Sequence, residues 1–562
     1  MMRLCSWLGT VLVLFLFASA CTPAANEADF ILTNGNIYTV DDNQPRVEAV
    51  AVAAGKILAL GSAEEMASYQ GRATQMLDVQ GATVVPGLIE SHGHFLGLGQ
   101  FKRNLDLTQV KNYEELIAVV EEAVANAPEG EWILGRGWHQ SKWEPQPELV
   151  VGYQTHEALS AVSPNHPVYL AHASGHAGFA NAKAMEIAGI GAEERVVEFG
   201  EIIRYPDGQP TGIFTELAEN FITDHIPKDS PASLRADMQA AIEECLANGL
   251  TSFQDAGSNQ QAIDIYQEFV EEDKMKLRLW VMLSGGNPDL LSDWYAKGPV
   301  TDDLLSVKAI KLYADGALGS RGAWLLKPYT DRPSHYGNPL MPMEEVQEIA
   351  KKGLEHGFQV CTHAIGDRAN QEVLNQYQRA FEAYPEKKDH RFRIEHAQHL
   401  ALEDIPRFSE LGVIASMQAI HMSSDRPWAI FRLGQKRILD GAYVWQKLLQ
   451  SGAKVINGTD TPVEPVSPIA CFYASVTRQT LAGMPIGGYE PEQKMTREQA
   501  LRAYTLDAAY GAFEEDLKGS IEVGKFADFT VLSQDIMTVP DDQLLATEVT
   551  HTIVGGKVVY EK

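Results

Sequence analysis

Basic residues are scarce in this chain. Its 562 residues hold 46 Lys and Arg against 75 Asp and Glu, a formal net charge of −29. A surface of that sign repels nucleic-acid phosphates and anionic headgroups, which excludes a general nucleic-acid binder. Cysteine is nearly absent as well. Beyond Cys5 and Cys21 only Cys245, Cys361 and Cys471 remain, too far apart for a disulfide framework or a CxxC metal knuckle. Internal repeats and low-complexity segments are missing. The single long apolar run, Trp7–Phe17, is shorter than the roughly 20 residues that span a bilayer. The composition, 45% hydrophobic and 22% charged, is that of a folded globular chain.

What is present begins with an address. Arg3, the apolar run and Ala18-Ser19-Ala20 form a secretory signal over residues 1–20. Ala18-Ser19-Ala20 fits ordinary cleavage, and the following Cys21 fits lipidation as a bacterial lipoprotein. We take the second as the expectation: an exported chain of the cell envelope or periplasm, anchored at Cys21, with residues 21–28 as a tether. Membrane contact is expected only through that anchor.

Residues 29–85 read as short strands broken by turns, and residues 519–562 read the same way. Neither end has enough strands to stand alone, so the two are expected to form one β-sandwich. Residues 86–518 alternate apolar runs with amphipathic stretches such as MEEVQEIAKKGLEHG. The runs are VVPGLI, LTSFQDAG, LRLWVML, VKAIKLYADG, FQVCTHA, RFRIEHAQ, GVIASMQ and AKVINGTD. Near-continuous apolar strands followed by helices predict a parallel sheet, and this number of them predicts a (β/α)8 barrel. An insertion at about 101–225, rich in Gly, Trp and His, follows the first run. Its Trp132, Trp138 and Trp143 are expected to pack over the barrel mouth, as core.

Chemistry-bearing residues sit at the C-terminal ends of these runs, where parallel barrels keep their active sites. His92 and His94 follow the first; Lys311, His363, His396 and Asp460 end four others. Neutral imidazole is a good ligand for zinc or manganese. Taken singly, each residue has an ordinary explanation: a loop histidine, a paired lysine, a capping aspartate. In this strand order they form one constellation.

VVPGLIESHGHF, KLYADGALGSRGA, CTHAIGDRA, RIEHAQ, NGTDTPVEPVSP and the tail GSIEVGKFADFTVL carry a recognisable pattern. The chain resembles the metal-dependent amidohydrolase superfamily, in the branch of N-substituted formamide deformylase. The resemblance implies a distorted barrel with a β-sandwich from both chain ends. It implies that His92 and His94 hold a first metal, that Lys311, carboxylated by CO2, bridges two metals, and that His363 and His396 hold the second. Asp460 is implied as a ligand and as the proton shuttle beside a metal-activated hydroxide. Two zinc ions are expected, with Mn, Fe or Co compatible.

The implied substrate is a small-molecule amide, N-formyl or N-acyl compound, cleaved at a non-peptide C–N bond. His176, His421, Arg321 and Asp315 are candidates to bind it. His139 and the segment His172-Ala173-Ser174 depart from the family pattern, which bears on specificity. Cyclic amide or imide hydrolysis and N-acyl amino acid deacylation stay open. A non-catalytic ligand-binding lipoprotein is the alternative of another class. A homodimer is compatible with the sequence.

Overall fold

The computed structural model of the chain describes residues 27–562. The expected signal, Cys21 and most of the tether lie outside the described residues. Among those residues no helix is long and apolar enough to cross a membrane.

Eight parallel strands form the central sheet: β1 (Leu88–Gly93), β2 (Leu250–Ser258), β3 (Arg278–Ser284), β4 (Leu305–Tyr313), β5 (Gln359–Ala364), β6 (Arg393–His396), β7 (Ile414–Met417) and β8 (Val455–Asn457). Seven coincide with the expected apolar runs, while the first run, VVPGLI, divides between the strand Thr83–Pro86 outside the barrel and the start of β1. The strands are buried on both faces, hence their lack of apolar–polar alternation. No regular ladder joins β1 to β8, which has only three residues. The seam is instead bridged by individual bonds. Ser91 Oγ donates to Asn457 O at 2.5 Å, Thr459 N to Glu90 Oε1 at 2.7 Å, and Asp460 N to His92 O at 2.8 Å. The barrel is therefore near-closed and distorted, and the distortion falls where the metal-site candidates of β1 and β8 meet.

The helix Met343–His356 shows why the amphipathic stretches coil. Its buried residues Val346, Ile349, Ala350, Gly353 and Leu354 recur at helical spacing. Glu344 and Glu345 occupy its first turn, and Gly357, at φ +81°, ends it in the left-handed region.

Both chain ends do meet. Strands Asn36–Tyr38 and Thr83–Pro86 share a six-stranded sheet with Phe529–Leu532, Val549–Val554 and Lys557–Glu561. A four-stranded sheet of the N-terminal region supplies Phe30, Leu32, Val50 and Ile57 to the same apolar core as Phe529, Val531 and Ile553. Arg278, at the start of β3, pins this unit to the barrel through Asp528, at 2.7 and 3.0 Å.

The insertion after β1 builds a six-stranded mixed sheet of its own, from Leu105–Asp106 to Pro210–Glu216. Trp138 and Trp143 are buried in its core beside Phe179, as expected of them, and Trp132 is partly buried.

Candidate metal centre

The C-terminal ends of the barrel strands bring the six constellation residues together. His92 and His94 come from β1, Lys311 from β4, His363 from β5, His396 from β6, and Asp460 from the turn after β8. Donor atoms of His92, His94 and Asp460 all lie within 4.8 Å of one another, and so do those of His396, His421 and Asp460. Asp460 thus stands between two groups of donors. Its Oδ1 is 3.3 Å from His94 Nε2 and 3.6 Å from His92 Nε2. The rings of His363 and His396 are 4.5 Å apart. Lys311 Nζ lies 3.1 Å from His92 Nε2. Asp460 (φ +57°) and His396 (φ +74°) hold left-handed backbone conformations that cost a non-glycine residue about 1–3 kcal/mol, a strain typical of functional sites.

The electrostatics suit cation binding. Burial pushes His92 down to about 4, and the charge of Lys311 adds to the effect. Burial also drives His363 and His396 well below the usual imidazole range. All three are therefore neutral, with lone pairs to give. Burial opposes ionisation of Asp460, but the close approach of His94 and the neighbouring histidines overcomes it and holds the carboxylate ionised. Its Oδ1, like Nε2 of His363 and of His421, is buried with no hydrogen-bond partner. Such unpartnered polar atoms suit a cation as their partner. Lys311 is the exception, because an ammonium repels one. Burial lowers it to about 8, which leaves part of the population as the neutral amine that can react with CO2.

Supporting residues fix the rings. His92 Nδ1 meets Glu395 Oε2 at 2.5 Å, and His396 Nδ1 meets Gln418 Oε1 at 2.7 Å. Each contact turns the Nε2 of its ring toward the centre. Glu395 is itself backed by Arg393, whose Nε lies 2.7 Å from Oε1. Burial opposes its charge, yet Arg393 and His92 hold it well below the usual carboxylate range. None of these supports was singled out from sequence. The adjacency of Glu395 to His396 in RIEH was the available signal.

Of the expected substrate-binding residues, His176 and His421 line the cavity above the centre, which measures about 560 Å³. His176 is held by Glu216 at 2.7 Å, and its ring lies 5.1 Å from that of His363. His421 Nε2 is 3.9 Å from Asp460 Oδ2. Asp315 and Arg321 do not line the cavity. Asp315 is fully buried and accepts the backbone N–H groups of Ile365, Gly366 and Trp324, 2.7–2.9 Å away, so it knits loops together, and its Oδ1 lies 3.5 Å from His363 Nε2. Arg321 turns aside at φ +65° to pair with Asp331 at 2.9 Å.

Known proteins bear on the fold and the family. The chain is 32% identical over 553 residues to the protein LONG AFTER FAR-RED 3 of Arabidopsis thaliana, covering 96% of this chain and 93% of that one. It is 28% identical to the N-substituted formamide deformylase of Arthrobacter pascens, covering 95% and 98%. The crystal structure of an uncharacterized metal-dependent hydrolase from Pyrococcus horikoshii superposes with a TM-score of 0.72 at 27% identity, over 91% of this chain and 99% of that one. Residues 75–560 match the model of the amidohydrolase family. With that span matched and the barrel in place, the chain belongs to the amidohydrolase family.

Proposed function

We propose that the protein hydrolyses a non-peptide C–N bond of a small-molecule amide, N-formyl or N-acyl compound. His92, His94, carboxylated Lys311, His363, His396 and Asp460 would hold two divalent metals, zinc being favoured by the imidazole-rich set. The observation that supports this best is the convergence of ring nitrogens of His92, His94, His396 and His421 on Asp460, whose Oδ1 is buried without a hydrogen-bond partner, at the open end of the barrel. The activity named for the Arthrobacter pascens relative concerns the same class of bond.

Metals bound there supply Lewis acidity toward a carbonyl oxygen and acidify a water. The protein does the rest. Glu395 and Gln418 aim the rings of His92 and His396. Asp460 takes the proton of the attacking water on Oδ1 and passes it to the leaving nitrogen, acting first as base and then as acid. Burial opposes the charge of His176, but Glu216 outweighs it and raises the imidazole, so His176 presents an N–H to the substrate carbonyl. Lys311 becomes a ligand when its neutral amine adds to the carbon of CO2 and loses a proton, turning a cation into a carbamate anion. We carry export and anchoring at Cys21 forward on the N-terminal sequence alone.

The test is metal content per chain, by plasma mass spectrometry, of the parent and Lys311→Ala, with hydrolysis of N-formyl and N-acyl amines before and after chelation. Two metals in the parent, fewer in the variant, and turnover that chelation abolishes are expected. One metal in both would remove the bridge, and a metal-free chain that still binds amides without turnover would favour the binding lipoprotein.

A further inference from the structure

Arg136 is an arginine without an ion pair among the described residues. The five most deeply buried arginines, Arg278, Arg393, Arg426, Arg432 and Arg478, each pair with a carboxylate. Arg136 lines the cavity of the metal centre, and among the described residues it makes no ion pair. One NH2 donates to Ala173 O at 3.2 Å, which orients the guanidinium, and its Nε is buried without a partner. The acids that share the cavity are engaged elsewhere. Asp460 sits among the histidines, Asp425 accepts from Tyr443 at 3.1 Å, and Glu464 accepts from Ser424.

The backbone delivers this cation on purpose-built geometry. In the strand Ile133–Trp138 the pairing register slips between Arg136 and Trp138, and Gly137 forms the bulge at φ +110°. Leu134 and Arg136 face the cavity, while the slip sends Trp138 into the core of the insertion. Close by stand His139 and His172, buried and kept neutral, first by burial and then by surrounding positive charges that include Lys142. His139 Nδ1 and His172 Nε2 have no partner. Exposed Lys142 lines the same cavity and also makes no ion pair among the described residues. In a chain of net charge −29, this cavity wall collects positive charge and hydrogen-bonding groups with nothing to satisfy them.

We propose that Arg136, assisted by Lys142, forms a subsite for a carboxylate, so that the amide cleaved here carries one, as an N-acyl amino acid does. This rests on the hydrolase reading above and specifies its substrate. An unpaired guanidinium in a cavity is a poor host for a neutral formamide and a good one for a planar anion.

The test uses a matched pair, N-acetyl-leucine and N-isopentylacetamide, which differ only in the carboxylate. The metal-replete parent is expected to favour N-acetyl-leucine by at least about tenfold in kcat/KM, the value of one charge-assisted hydrogen bond. Arg136→Gln loses that preference while the neutral amide changes less than about twofold, and Arg136→Lys restores part of it. Lys142→Gln, at an exposed position whose folding is not at issue, lowers the preference several-fold. Equal turnover of the pair by the parent, or a parallel loss of both in Arg136→Gln, would overturn the subsite. Should the parent hydrolyse neither, the hydrolase reading suffers, and calorimetric binding decides the subsite. Tighter binding of the carboxylate in the parent but not in Arg136→Gln upholds it; equal binding of the pair sinks it.

Discussion

Glu395→Gln separates two jobs that one carboxylate performs. The substitution exchanges an oxygen for an NH2 group at constant volume, so no cavity opens. Two contacts change. His92 Nδ1 loses the anionic acceptor 2.5 Å away, and Arg393 loses its one ion-pair partner among the described residues. Removing one partner of a buried ion pair costs about 3–5 kcal/mol. Arg393 keeps Gln254 Oε1 at 2.6 Å, Ser91 O at 2.5 Å and Ser416 Oγ at 3.1 Å, so the lower figure applies. Independently, removing the group that orients a liganding histidine weakens metal binding about 10- to 100-fold. Competition with a calibrated chelator measures the second effect. The half-life of inactivation at elevated temperature reports the first, since a chain of this length is expected to unfold irreversibly. Metal affinity within twofold of the parent, beside a shortened half-life, would refute the reasoning. Glu395 would then serve Arg393 alone.

Other perturbations read other parts of the molecule. His399 is buried, both its ring nitrogens lack partners, and burial lowers it to about 3. The unfolded chain takes up that proton below about pH 6.5, the folded chain only near pH 3, so stability is lost as pH falls between the two. His399→Leu should flatten the dependence of thermal stability over that window, and an unchanged profile would count against it. Asp528→Asn strands Arg278 at the closed end of the barrel and should cost about 3–5 kcal/mol of stability. Metal content and kcat should stay at parental values, which enzyme assay after mild heating would check. Gly137→Ala places a Cβ 2.6 Å from Thr108 Cγ2 in a left-handed conformation. It should cost about 2 kcal/mol and, by shifting the bulge, erode the carboxylate preference assigned to Arg136.

The barrel was legible because burial on both faces makes its strands read as eight continuous apolar runs, and the ends of those runs displayed the donors. The insertion was not legible as a sheet. Its strands are short, Leu105–Asp106 having only two residues, and they are rich in glycine. The supports of the site were hidden for another reason. Glu395 meets His92 across 303 residues of sequence, and Arg393 reaches Ser91 across 302. Strand order predicts that β1 and β6 share a barrel. It does not predict which polar side chains of their buried ends meet inside it.

Arg321 and Arg136 show the limit most directly. By sequence Arg321 was the better candidate, lying in the loop that follows β4, whereas Arg136 sat in an insertion with no assigned fold. Neither position discloses whether an acid waits nearby. Arg321 finds Asp331, and Arg432 shares the same carboxylate, so that charge is spent on holding loops together. Arg136 hydrogen-bonds only a carbonyl, and although Asp460 and the buried Glu219 act on it through their fields, neither pairs with it. In a chain where acids outnumber bases 75 to 46, leaving a cavity-facing arginine unpaired is the less probable arrangement on numbers alone. Arg136 is half-buried, and the desolvation of its guanidinium is offset by no ion pair among the described residues. The missing counter-charge is therefore better sought in what enters the cavity than in the protein around it.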